Sequence, residues 1–302
     1  MSTLKSAPPT KSGVGPSTVS LPVGPWATVA EFLIERFPNV SRAEWDARIE
    51  CGDVIDAHGQ AVTPRTVYQP HTKIHYYRHL AAETVIPFAA NILFQDEFLV
   101  VADKPHFLPV MPAGRYVQET LLVRLKRTLD VDTLVPLHRI DRDTAGLVLF
   151  SVQQFTRDHY AAMFRERTVT KRYEAIAGWR ADLQLPLLHR SRLVESESSM
   201  LMTETAGAPN AETAIAALEV RGAYARYALS PVTGKKHQLR VHMASLGIPI
   251  QNDRLYPRAA AHADRETTRY DEPLQLLAKS LSFIDPISGH ERNFESRLTL
   301  LW

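Results

Sequence analysis

The chain has 302 residues, 45% of them hydrophobic and 23% charged, with a formal net charge of +2. These are globular proportions, which exclude a disordered, fibrous or membrane-embedded chain, and the length allows two folded units at roughly 100 to 200 residues each. One cysteine, Cys51, excludes an internal disulfide and a cysteine-based zinc site. There is no apolar run of about 18 residues and no apolar segment behind Lys5 and Lys11, so the expectation is a cytoplasmic protein with no membrane partner.

Residues 1 to about 25 are rich in Ser, Pro, Thr and Gly, and so poor in large apolar side chains that burial cannot offset the entropy of ordering them. They are expected to form a disordered tail. From Thr28 the pattern changes. Val29, Phe32, Leu33 and Phe37 recur at helical spacing, Pro38 ends that helix, and Ser41 with Glu44 makes a capping box for a second helix carrying Trp45 and Ile49. Gly52 closes it, and short strands are expected over Asp53–Gly59, Thr66–Tyr68 and Lys73–Tyr77.

After a linker at 81–88, Ile92–Phe94 and Phe98–Ala102 read as strands around the turn Gln95-Asp-Glu97. The Pro-rich run Lys104–Gly114 is an ordered loop, and Val117–Leu129 places Leu121, Leu122, Leu125 and Leu129 on one helical face. Gly146–Val152 is a continuously apolar, buried strand. An amphipathic helix at Thr156–Arg165 leads into the strand Arg172–Ala177, then a meander over 183–233, a helix at Lys236–Leu246 and a strand entering a turn at Ser282–Gly289. The fold class is α+β with a large mixed, mainly antiparallel sheet and flanking helices.

Charge distribution says more than the total. Arg157–Arg192 holds eight Lys and Arg against four Asp and Glu, and Lys235, Lys236 and Arg240 form a second basic cluster. Each is a solvated face or a polyanion contact on these grounds alone.

His138-Arg-Ile-Asp141 lies between an apolar strand and Thr144-Ala-Gly146, which places Asp141 on a loop at a sheet edge. A kinase catalytic loop also starts His-Arg, but there Asp follows at once, and no Gly-rich phosphate loop exists here. Asp143 is suited to capping the turn. His237 and His242 are five residues apart, on different helical faces, which makes a poor zinc pair. No metal site is expected. Arg240, three residues past His237, shares its face.

Taken in order, Phe98-Leu-Val-Val-Ala-Asp-Lys-Pro105, His138–Gly146, Lys171-Arg-Tyr173 and Gly234-Lys-Lys-His-Gln-Leu-Arg-Val-His-Met-Ala-Ser-Leu-Gly-Ile-Pro-Ile250, with Asp253 and Tyr256 behind, resemble the RluA-type pseudouridine synthases. Residues 26–80 resemble the small alpha-L (S-four type) RNA-binding module. The resemblance implies a catalytic domain over 88–302 that isomerises uridine in ribosomal RNA, with transfer RNA the other candidate, as a monomer and without a cofactor. It implies Asp141 as the catalytic carboxylate, Tyr173 as the stacking platform for the extracted uracil and Arg240 as the partner of Asp141. Arg139 would fill the gap left in the RNA stack, and Lys171, Lys235, Lys236 and His237 would contact RNA. Phe107, Met111 and Ala145 stand where the family has Gly, His and Ser. The rival classes are a catalytically silent RNA-binding or assembly factor on the same scaffold, and a nuclease using His237.

Overall fold

The computed structural model describes residues 9–78, 83–196, 201–256 and 269–302, which form two compact units. The first comprises 9–78 with 83–84, 112–119 and 123–132; the second comprises 85–111, 120–122 and the described residues from 133 onward.

In the first unit β1 (Ser17–Ser20), α1 (Val29–Arg36), α2 (Arg42–Glu50), β2 (Val54–Asp56) and β3 (Lys73–Tyr76) follow one another. Both helix starts carry complete capping boxes, Thr28 with Glu31 and Ser41 with Glu44, so two orphan backbone donors at each start are satisfied. Leu21, Phe32, Leu33, Trp45, Val54 and Ile74 close the core. Thr66–Tyr68 supplies a single bridge, Val67 to Thr28, instead of a strand.

The disordered tail expected at residues 1 to about 25 needs correction. Residues 1–8 lie outside the described residues, but β1 pairs antiparallel with β3, from Ser17 opposite Tyr76 to Ser20 opposite Lys73. Leu21 is buried beside it. What orders this stretch is a ladder of backbone hydrogen bonds to an open strand edge, to which a count of large apolar side chains is blind.

The second unit is built on an eleven-stranded sheet. Its strands are β4 (Asn91–Gln95), β5 (Leu99–Lys104), β6 (Val135–Pro136), β7 (Ala145–Ser151), β8 (Thr170–Gly178), β9 (Leu187–Glu195), β10 (Met202–Thr205), β11 (Ala211–Arg221), β12 (Tyr224–Pro231), β13 (Leu276–Ile284) and β14 (Glu291–Glu295). The helices are α3 (Leu121–Leu129), most of which clusters with the first unit, α4 (Arg157–Arg165) and α5 (Gln238–Ser245). The main path runs β10-β9-β11-β12-β8-β13-β7-β5-β4, with β14 on β13 and β6 on β7. Among the described residues each pairing in this sheet is antiparallel except β13 with β7, where Leu277 lies beside Ala145 and Ala278 beside Gly146. The mixed, mainly antiparallel α+β class expected from the sequence is the class observed.

β5 and β7 are buried along their whole length, which accounts for their unbroken apolar runs. One row crosses the middle of the sheet. Tyr173 on β8 is opposite Ala278 on β13, and Ala278 is beside Gly146 on β7. This row brings Tyr173 next to the start of β7, and hence next to the loop that precedes it. Gly146 has φ +110, and a Cβ there would lie 2.3 Å from the Ala278 carbonyl oxygen. The glycine is therefore required by close strand approach as well as by its backbone angle.

Candidate active site

The loop between β6 and β7 carries the site. Asp141 accepts a turn-closing hydrogen bond from Thr144 N at its carbonyl, 3.2 Å, and its carboxylate faces a cleft of about 380 Å³ that also exposes Tyr173, His237 and Arg240. That volume is in the range of about 300 to 1,000 Å³ found for small-ligand pockets. Arg139, Arg167, Lys171 and Lys235 line the same cleft, so its field favours an anion.

Two groups, one at the end of β5 and one just past it, hold the back of this loop. Lys104 Nζ donates to the carbonyls of Pro105 (2.9 Å) and Arg142 (3.0 Å), and the His106 ring is 2.7 Å from the Asp143 carbonyl. Burial lowers the Lys104 amine to about 7, against the opposing pull of Asp143 and Asp141. Asp143, the expected turn cap, instead pairs with Arg142 Nε at 2.9 Å.

The start of α5 supplies the other wall. Arg240 is only 3% exposed, and its Nε and Nη2 donate to the two oxygens of Asp253 at 2.8 and 2.6 Å. Nη1 donates to Asp141 Oδ2 at 3.2 Å. Asp253 is itself fixed by the backbone N–H groups of Leu255 and Tyr256. Burial alone would lower the guanidinium pKa, but the hydrogen bonds and charge of Asp253 and the charge of Asp141 raise it above its usual value, so the cation is permanent.

His237, at the N-cap position of α5 with φ +53, has Nδ1 2.9 Å from the Tyr256 hydroxyl and Nε2 3.9 Å from Asp141 Oδ1. The Tyr256 hydroxyl also accepts from Met202 N at 2.8 Å. Burial lowers the His237 pKa despite the pull of Asp141. A neutral ring that accepts from the tyrosine at Nδ1 carries its proton on Nε2, facing the carboxylate.

Tyr173 is half-buried, against the core that contains Leu229 and Leu276. Its hydroxyl pKa is raised, first by burial and second by the negative charge of Asp141. The phenol therefore stays neutral.

Of the residues expected from the sequence, Asp141, Tyr173, Arg240, Arg139, Lys171, Lys235 and His237 all line this cleft. Lys236 does not; it lies 3.9 Å from Glu195 on β9. His138 lines it but accepts from Leu149 N at Nε2, 3.1 Å, and stacks on Phe164. Arg167, Lys104 and the anchoring role of Asp253 were not anticipated. The signal for Lys104 was the apolar run Leu99–Ala102 continuing through Asp103 and Lys104 into Pro105. Phe107 adopts φ +67, the backbone region that glycine favours, and is held there by Phe88 and Tyr270 with ring centroids 5.9 and 5.2 Å away.

Residues 98–245 match the family model for RNA pseudouridylate synthase. An uncharacterized RNA pseudouridine synthase of Synechocystis is 30% identical over 252 residues, spanning 79% of this chain and 82% of the relative. The ribosomal large subunit pseudouridine synthase C of Vibrio cholerae is 29% identical, spanning 83% and 77%. The solved structure of human RNA pseudouridylate synthase domain containing 1 shares the fold, with TM-score 0.56 at 20% identity over 71% of this chain and 91% of that one. A carboxylate, a buried arginine and an aromatic face in one basic cleft suit this assignment, and the chain belongs to the RNA pseudouridine synthase family of isomerases.

Proposed function

We propose that Asp141 is the catalytic carboxylate and that Arg240 holds and aims it. The observation that carries this reading is the shared guanidinium: Asp253 takes two of its nitrogens and Asp141 the third, at 3.2 Å. The reaction breaks an N-glycosidic bond, turns the uracil and rejoins it through carbon, with neither net redox change nor hydrolysis. One carboxylate serves it as nucleophile or as base.

The target base leaves its stack at a cost of about a few kcal/mol. Tyr173, neutral and at the cleft wall, offers a stacking face that returns roughly 1 to 3 kcal/mol. Arg139, exposed and two residues before Asp141, fills the vacated gap in this reading, which its place on the cleft wall supports. Lys171, Lys235 and His237 then contact the RNA, with Lys236 outside the cleft as a backbone contact.

The substrate proposed is ribosomal RNA, with transfer RNA the second candidate; likeness to the ribosomal large subunit pseudouridine synthase C of Vibrio cholerae supports the first. We further propose that 26–80 is an alpha-L-type RNA-binding module ahead of a catalytic domain at 88–302, and that the protein works as a cytoplasmic monomer. The basic cleft supports RNA binding by the catalytic unit, and among the described residues no helix is long and apolar enough to cross a membrane.

Pseudouridine mapping of total RNA tests the reading, in a strain lacking the gene and complemented with wild type or Asp141→Ala. The expected result is one or a few ribosomal sites restored by the wild type alone. Restoration of the same sites by Asp141→Ala would sink the catalytic assignment, and sites confined to transfer RNA would overturn the substrate.

A further inference from the structure

His242 faces away from Asp141, and its surroundings carry an arrangement that the isomerase reaction does not use. It lies on α5, two residues past Arg240, fully buried. Its ring meets His189 of β9 edge to face, with centroids 4.7 Å apart. His189 Nε2 is 2.8 Å from Glu204 Oε1 on β10. One ligand atom from each of His189, Glu204 and His242 lies within 4.8 Å of the others. Three elements therefore converge on one point through two imidazoles and a carboxylate.

We propose that His189, Glu204 and His242 form a binding site for one zinc-class divalent ion that pins α5 to the β9–β10 hairpin. The donor set selects the metal. Imidazole suits zinc and its neighbours, whereas magnesium and calcium prefer sites made of oxygen alone. Nearby hydroxyls orient the ligands as outer groups do in known sites. Thr213 Oγ1 is 2.9 Å from His242 Nδ1, leaving Nε2 to bind, and it is fixed in turn by Gln238 Nε2 at 2.9 Å. Ser245 Oγ donates to Glu204 Oε1 at 3.1 Å, and Ser191 Oγ lies 3.2 Å from His242 Nε2. Ser191, Ser245 or a water then supplies the fourth position of a tetrahedron.

Tetrahedral bonds of about 2.0 to 2.1 Å set ligand atoms roughly 3.3 Å apart. The 2.8 Å His189–Glu204 contact opens by about half an ångström to admit the ion, and Zn²⁺ replaces the bridging proton.

The pairing of His242 with His237, set aside from their spacing, stays rejected, since His237 faces Asp141 and Tyr256. The partners of His242 come from strands some 40 to 50 residues away, which helical spacing cannot reveal.

Calorimetric titration of the full chain, stripped with chelator, tests the site with zinc chloride; cobalt(II) chloride serves as a visible probe. The expected result is one ion per chain, a four-coordinate cobalt spectrum, a rise in melting temperature with zinc, and no competition from magnesium. His189→Gln and Glu204→Gln each weaken zinc at least about tenfold, while Cys51→Ser binds as wild type does. His189 and Glu204 are only partly buried, so both variants are expected to keep the metal-free melting temperature; the fully buried His242 is left unchanged. No saturable zinc binding, equal competition by magnesium, or affinity within about twofold of wild type in the doubly substituted chain would overturn the proposal.

Discussion

Arg240 meets Asp141 through Nη1 alone, at 3.2 Å, because Nε and Nη2 are committed to Asp253. One guanidinium thus serves two carboxylates of unequal character. The Asp253 side chain is 1% exposed and the Asp141 side chain 28%. The buried partner sets the position of the cation, and the open one faces the cleft.

Arg240→Lys keeps the charge and loses the fork. A lysine cannot satisfy both Asp253 oxygens and reach Asp141 as well. Misplacing a positioning group by about 1 Å can cost on the order of 10²-fold, and that is the expected fall in kcat for pseudouridine formation. Thermal melting should also shift downward, because a buried carboxylate is left short of hydrogen bonds. Wild-type kcat in this variant would show that the shared fork is unimportant.

Tyr173 separates stacking from proton chemistry. Its hydroxyl pKa is raised by burial and by Asp141, so the group is neutral in any ordinary buffer. Tyr173→Phe should keep activity within a few-fold, whereas Tyr173→Leu loses base–aromatic stacking worth about 1 to 3 kcal/mol, roughly 5- to 150-fold. Single-turnover rates on an RNA substrate decide between them. Equal losses in both variants would point to the hydroxyl.

Much of this was legible in the residues, for identifiable reasons. The capping box at Ser41 and the apolar runs of β5 and β7 are local signals, and local signals survive folding. The Tyr173–Ala278–Gly146 row is not local. It depends on the one parallel pairing among the described residues of the sheet, across more than a hundred residues of chain. A shorter but still non-local contact hid Lys104, whose amine clasps the Arg142 carbonyl 38 residues on. Phe107 shows the opposite case: a left-handed backbone that its sequence neighbours do not demand is held by contacts with Phe88 and Tyr270.

Gly146→Ala tests that row. A Cβ would come within 2.3 Å of the Ala278 carbonyl oxygen and 2.7 Å of its nitrogen, at φ +110. Left-handed strain alone costs roughly 1 to 2 kcal/mol, and the clash adds to it. We expect a loss of at least about 2 kcal/mol, equivalent to some 4 °C or more in Tm for a unit of this size. Differential scanning calorimetry measures it, and an unchanged Tm would refute the close approach.

His138 should make the catalytic unit acid-labile. Burial and the nearby Lys171 charge lower its pKa to about 3, and Nε2 accepts the Leu149 N–H at 3.1 Å. The unfolded ring titrates near 6.5. Between those values the unfolded chain binds more protons, so the stabilisation is complete above about pH 6.5 and is lost as pH falls toward 3, at up to about 1.4 kcal/mol per pH unit. Urea unfolding at pH 7, 6 and 5 should show a smaller pH dependence in His138→Gln than in wild type. Parallel dependences would contradict the assignment.

Asp141→Asn is the most direct test of the proposed chemistry, because it preserves size and removes only the charge. Purified wild type and variant are each incubated with ribosomal RNA under single-turnover conditions, with RNA affinity and pseudouridine formation measured on the same samples. The account predicts affinity within about threefold and a rate lowered on the order of 10⁴-fold or more. Pseudouridine formed at the wild-type rate by the asparagine variant would contradict it.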